Sequence, residues 1–273
     1  MRKGHSSGGN ALFHSAVTTP MNENQGPILV FLGPTLRLTE AEAVLDAIYL
    51  RPVAQGDILL AAHAFRPRAM VLIDGQFEDR PAVRHKEILW AMAQGIVIIG
   101  AASMGALRAA ELGDFGMIGI GLVYRWYRRW WLAPDDAVAV HSGPAELGFP
   151  PLTDSLVDLQ RTLSRLMRRN LIGAGERDRL TTIARKMNFR GRSLDTVLRA
   201  AGWQDDEVKK LRSEIVGQKK RDALLALQRA PGLATQRAEA RGPADWVATN
   251  TFIRDLEAGG IDSNLANTYK LNP

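Results

Sequence analysis

The chain has 273 residues, 46% of them hydrophobic and 23% charged, proportions that allow a sizeable buried core. It has no cysteine, which excludes disulfides, thiolate metal sites and sulfur carried covalently on this chain, and its five histidines (His5, His14, His63, His85, His141) include no close pair at metal-ligand spacing. No run approaches the ~20 apolar residues of a membrane span, and Arg2 and Lys3 are not followed by an apolar signal region, so the expected location is the cytoplasm.

The formal charge of +6 is unevenly spread: residues 151–241 hold 20 Lys+Arg against 11 Asp+Glu, and the rest of the chain 15 against 18. A basic C-terminal part suits a solvated helical surface. It also suits attraction for an acidic protein, an acidic peptide or nucleic acid.

Residues 1–26 are rich in Gly, Ser, Asn and Thr and read as a disordered lead-in, with Met21 an alternative start to Met1. Ile28 to Leu32 is an apolar run closing on Gly33-Pro34-Thr35, the pattern of a buried strand and turn. Thr39 with Glu42 forms a capping-box signature, and a helix is expected from there to Tyr49, stopped by Pro52. A second helix is expected around Ile58–His63, then a strand over Ala69–Ile73 ending at Asp74-Gly75. Pro81 fits the first turn of a helix running to about Gln94. Ile96–Ile99 is the next strand, and Ser103 to Leu112 the helix after it. From about 151 only helical patterns follow, near 153–169, 176–188, 193–201, 204–227 and 244–257.

The expected architecture is therefore an α/β domain over residues 27–150, with a parallel sheet and helices on both faces, followed by an all-helical region over 151–273. Ligands of such sheets bind beyond the carboxyl ends of the strands, which places any chemistry at Gly33, Thr35, Asp74, Gly75 and Ser103.

The segment Gly100-Ala-Ala-Ser103-Met-Gly105 runs from strand through small residues and a serine into a helix, as a nucleophile elbow does. Ala101 stands where the usual elbow has its first glycine; Gly105 matches the second. The backbone N–H of Met104 would face a developing oxyanion at the helix N-terminus, and Ala102 and Gly105 would let a substrate carbonyl approach. The alternative is that Ser103 only caps the helix.

A serine nucleophile needs a base. Lys86 shares a helical stripe with Ala82, Leu89 and Ala93, so burial would lower its pKa, with Arg84 acting the same way and Glu87 against. The alternative is a lysine reaching to solvent.

Phe31-Leu-Gly-Pro-Thr-Leu36, Pro52-Val-Ala-Gln-Gly-Asp57, Ile73-Asp-Gly-Gln-Phe-Glu78 and Pro81-Ala-Val-Arg-His-Lys-Glu-Ile-Leu-Trp90 occur in order. Gly100-Ala-Ala-Ser-Met-Gly-Ala-Leu-Arg-Ala-Ala-Glu-Leu112, Phe115-Gly-Met-Ile-Gly119 and Gly143-Pro-Ala-Glu146 follow. Over residues 28–160 this series resembles the TfuA-like family, with a fainter echo at Gln218-Lys-Lys-Arg-Asp-Ala-Leu225.

The resemblance implies an accessory hydrolase of ribosomal peptide biosynthesis. It would release sulfide from a thiocarboxylated ThiS-like sulfur carrier, beside a YcaO enzyme that thioamidates a precursor peptide. It also implies a Ser–Lys pair, Ser103 and Lys86 here. Gly33, Thr35, Asp74, Gly75, Glu78 and His141 are the candidates for a slot that takes the carrier tail. No phosphate loop is present, so no cofactor is expected on this chain, and ATP belongs to the YcaO partner.

Arg125-Trp-Tyr-Arg-Arg-Trp-Trp-Leu132 is more basic and aromatic than the family's usual run, and suits a partner surface or a helix burying its tryptophans. The competing readings are a non-catalytic adaptor that docks the precursor peptide and the YcaO enzyme, and a nucleic-acid binder. No groove-reading motif supports the latter.

Overall fold

The computed structural model describes residues 26–76, 80–130, 133–238 and 246–269. The expected lead-in, apart from Gly26, lies outside them, as does Glu78.

Strands β1 (Ile28–Phe31), β2 (Ile48–Leu50), β3 (Ala69–Leu72), β4 (Val97–Ala101) and β5 (Ile118–Ile120) form one sheet in the order β2-β1-β3-β4-β5. Every neighbouring pair is parallel. The chain direction across the sheet reverses between β1 and β3, and all carboxyl ends lie along one edge.

The three inner strands are buried at every residue because both faces are covered. Alternate side chains serve opposite layers. Leu29, Phe31, Met70, Leu72 and Ile98 pack with α2 (Asp57–Phe65), α3 (His85–Ala93) and α4 (Met104–Leu112). Val30, Val71, Ile73, Val97 and Ile99 face the other way, onto Ala41 of α1 (Leu38–Glu42) and the alanine stripe of α10 (Gln218–Ala238).

Between these, α5 (Gly121–Arg129) follows β5, and α6 (Leu156–Arg168), α7 (Ala174–Lys186), α8 (Leu194–Ala200) and α9 (Asp205–Leu211) form the helical part. The last described elements are α11 (Asn250–Ala258) and α12 (Leu265–Thr268). Trp90 Nε1–H donates to Ala266 O (2.9 Å) and Arg66 to Tyr269 O (2.7 Å), so this end of the chain packs back on α2 and α3. One core cluster includes residues from both sides of position 150.

Three expectations are corrected and one element is added. The helix expected through Tyr49 ends at Glu42; its N-cap is Arg37, with no side-chain cap, and Ile48–Leu50 instead pairs with β1 as an edge strand. β5 is a second short edge strand that the sequence pattern did not disclose. The helix expected at Pro81 starts at His85, because Ala82 forms an antiparallel bridge to Ala54. The helix expected over 204–227 is two helices, α9 and α10, separated at Ile215–Gly217.

Candidate active site

Ser103 sits where β4 passes into α4. Its N–H donates to Ala101 O (2.7 Å), closing a γ-turn around Ala102, whose φ is +65°. That turn is of the rarer, strained hand, and a non-glycine residue with positive φ is uncommon. Strain of this kind is retained where surrounding packing over-determines it. Here Ala101 and Ala102 are fully buried.

The Ser103 carbonyl accepts from Ala106 (2.9 Å) and Leu107 (3.3 Å), starting the helix. Its side chain makes no cap hydrogen bond, although Ser103 occupies the N-cap position. The hydroxyl is thus not spent on the helix. The Met104 N–H has no acceptor among the described residues, while the next donor, Gly105 N–H, is taken by Ile73 O (3.3 Å). A free donor at a helix N-terminus beside an uncommitted hydroxyl is the arrangement an acyl-transfer oxyanion requires.

Ser103 and Met104 open into a cavity of about 400 Å³. Asp74, Gly75 and His141 also line it, as expected, with Arg80 on the same wall. A Cβ on Gly75 would come within 2.6 Å of Met104 Cγ, so glycine leaves the room that the Met104 side chain occupies.

Asp74 is an organiser. Its Oδ2 accepts the N–H groups of Gly33 (2.9 Å) and Thr35 (3.1 Å), and its Oδ1 the Thr35 hydroxyl (2.6 Å). Gly33 and Thr35 therefore hold the β1 loop against β3 behind the cavity, and the residue between them, Pro34, lines it. Gly105 likewise acts by packing: a Cβ there would lie 1.7 Å from Leu72 O, so its small size seats α4 on β3. Ala102 supplies the turn and does not line the cavity.

Lys86 is not brought into this cavity. It is half-buried on α3 and makes no hydrogen bond or ion pair. The core-facing side of α3 runs instead through Glu87, Ile88, Trp90 and Ala91. Glu87 points away from Lys86's side chain, accepting from Gly56 N–H (2.7 Å) and Arg84 N–H (3.3 Å), and burial raises its pKa to about 7.

The buried lysine is Lys219, in the first turn of α10. It is 3% exposed, and its Nζ donates to the carbonyl of Val138 (2.7 Å), a residue of the cavity wall. Burial pulls its pKa down, against the opposing fields of Asp74 and Asp158. Asp158 in turn accepts the Lys219 backbone N–H (3.0 Å), fixing the start of α10.

The available signal was periodic. Lys219 stands 4, 7, 11 and 15 residues before Ala223, Ala226, Ala230 and Ala234, the buried stripe of α10. Lys86 has one buried neighbour in its stripe, Ala93; Leu89 is half-buried, and Ala82 is half-buried and lies before the start of α3.

No group of three or more His, Asp or Glu side chains placed to hold a metal ion occurs among the described residues. No helix among them is long and apolar enough to cross a membrane.

Residues 74–193 match the family model described as TfuA-like protein. That stretch carries Asp74, Ser103, Met104 and His141 and ends before Lys219. No curated protein matches the chain.

Proposed function

With residues 74–193 assigned to the TfuA-like family, we propose that the protein is a serine hydrolase acting on a protein thiocarboxylate. The substrate is a ThiS-like sulfur carrier and the product sulfide, used by a YcaO partner for backbone thioamidation of a precursor peptide. The observation that carries this reading is Ser103: strained turn, uncommitted hydroxyl, and the free Met104 N–H beside it, all opening on one cavity.

Lys219, rather than Lys86, is the base in this reading: neither side chain lines the cavity, but Lys219 is buried and bonds to a residue that does. Burial lowers the pKa of this amine and so favours the neutral form, whose lone pair would accept the Ser103 proton; its Nζ bonds to the carbonyl of Val138, which lines the cavity. Productive binding would exchange the Val138 acceptor for contact with the hydroxyl.

Ser103 Oγ bonds to the thiocarboxylate carbon, and the resulting oxyanion faces Met104 N–H. The C–S bond then breaks, and the departing sulfur takes the proton held on Lys219 and leaves as hydrosulfide. Water next attacks the acyl-serine, giving the carrier carboxylate and restoring the hydroxyl. The carrier's flexible tail enters past Gly75 and His141. ATP chemistry stays on the YcaO partner.

The test is sulfide release from a thiocarboxylated carrier by purified protein. Ser103→Ala and Lys219→Met should each lower the rate by at least about 100-fold, as loss of a nucleophile or base does. Lys86→Ala should stay near wild type. Wild-type release by Ser103→Ala would leave the adaptor reading in place of the hydrolase.

A further inference from the structure

Helices α5, α6 and α7 enclose a groove distinct from the Ser103 cavity. It has two adjoining basins that share Trp126, Arg129, Trp130, Gln160 and Arg185. One basin is largely apolar, completed by Ala133, Pro134 and Leu156. The other is cationic, with Arg125, Arg129, Arg161, Arg177 and Arg185 and no carboxylate among its described lining residues.

Those charges are not neutralised internally. Among the described residues Arg125, Arg129, Arg161 and Arg185 make no ion pair, and Arg177 pairs only with its neighbour Asp178 (3.0 Å). The buried Nε atoms of Arg161 and Arg177 have no acceptor. Five like charges around one concavity repel each other, and unsatisfied buried donors add a further cost, so the groove is complementary to an anion.

All five are arginine rather than lysine, the residue whose planar fork suits bidentate contact with carboxylates or phosphates. The apolar basin decides between these. Its apolar walls, Trp126 and Trp130 closed in by Ala133, Pro134 and Leu156, seat a hydrocarbon side chain, and the side chains of those last three offer no partner to the polar edges of a nucleobase. Trp and Arg together are also the residues that dominate protein–protein hot spots.

We propose that this groove docks an acidic segment of a protein partner. A hydrophobic side chain seats against Trp126 and Trp130, and adjoining Asp or Glu residues pair with the arginines. This docking is separate from the Ser103 chemistry and does not depend on it.

The test is selection from a displayed random-peptide library on the full chain, beside an Arg125→Glu, Arg129→Glu, Arg185→Glu variant. These three side chains are exposed, so the fold should be kept; an Arg129→Gln, Arg185→Gln variant serves if it is not. The expected result is enrichment of peptides with an aromatic or aliphatic residue flanked by acids. Their affinity should fall at least about tenfold in either arginine variant, or when the peptide's Glu residues become Gln. No such enrichment, or affinity unchanged by the variants, would overturn the proposal. So would oligothymidylate binding more tightly than any selected peptide and being lost in the arginine variant.

Discussion

Gly105 and Glu87 show how much of the fold around Ser103 depends on single residues. At Gly105 a methyl group would strike Leu72 O, which is backbone and cannot rotate aside. Gly105→Ala should therefore cost at least about 2 kcal/mol in urea unfolding, since α4 must lift from β3 and carry Met104 N–H with it. Glu87 gives a pH signature. Its folded pKa is raised to about 7, above its ordinary value, so the folded state holds the proton more tightly than the unfolded chain. Its stabilising contribution is present at acid pH and is lost as pH rises through 7. Unfolding free energy measured from pH 4 to pH 8 should carry that downward component, and Glu87→Gln should remove it. Lys219 has the opposite sense for activity. Its amine must be neutral to act, so sulfide release should fall on the acid side as the amine gains its proton. Lys219→Met should lower activity at least about 100-fold and also lower the unfolding midpoint, because it removes the bond to Val138 O and the positive charge beside buried Asp158.

At the scale of elements, α10 connects the most parts. Its alanine stripe covers one face of the sheet, its first turn brings Lys219 to the cavity wall, and Asp222 ties it to α5. Asp222 Oδ2 accepts the Val123 N–H (2.7 Å), serving as a remote cap for α5, and Gly121 leaves room for that carboxylate. Asp222→Ala would strand a buried N–H and should cost about 1–3 kcal/mol by thermal or urea denaturation. The long apolar runs of β1, β3 and β4 were legible because a doubly covered strand leaves no ambiguity in its pattern. The two edge strands were not: three residues carry no period, and β2 is only half-buried. Ser103, Asp74 and Met104 were legible because local chain order places them at strand ends. Lys219 was not, because its burial depends on a helix 100 residues downstream folding back over the sheet; its place in the alanine stripe was visible, but only the fold shows what that stripe covers.

For the whole molecule, the consequence is that residues on both sides of position 150 build one set of cores. A chain ending at Gly217 would lack α10 and expose Val30, Val71 and Ile99 to water. It should be recovered only as aggregate, and a soluble, cooperatively folding truncation would contradict that dependence. The net positive charge of residues 151–241 has two structural destinations. One part pairs with local acids, as Arg165 and Arg169 do with Glu214; another lines the unneutralised groove beside α5. The Ser103 cavity and the arginine groove share no lining residue, and in the proposed function the chemistry turns on Ser103. Rapid quenching of the first turnover with a thiocarboxylated carrier, followed by mass spectrometry of the peptide containing Ser103, tests that role most directly. The account predicts the carrier's C-terminal acyl group esterified to Ser103, forming at the rate of the first sulfide release. Sulfide released at the wild-type rate with no acyl group ever on Ser103 would contradict it.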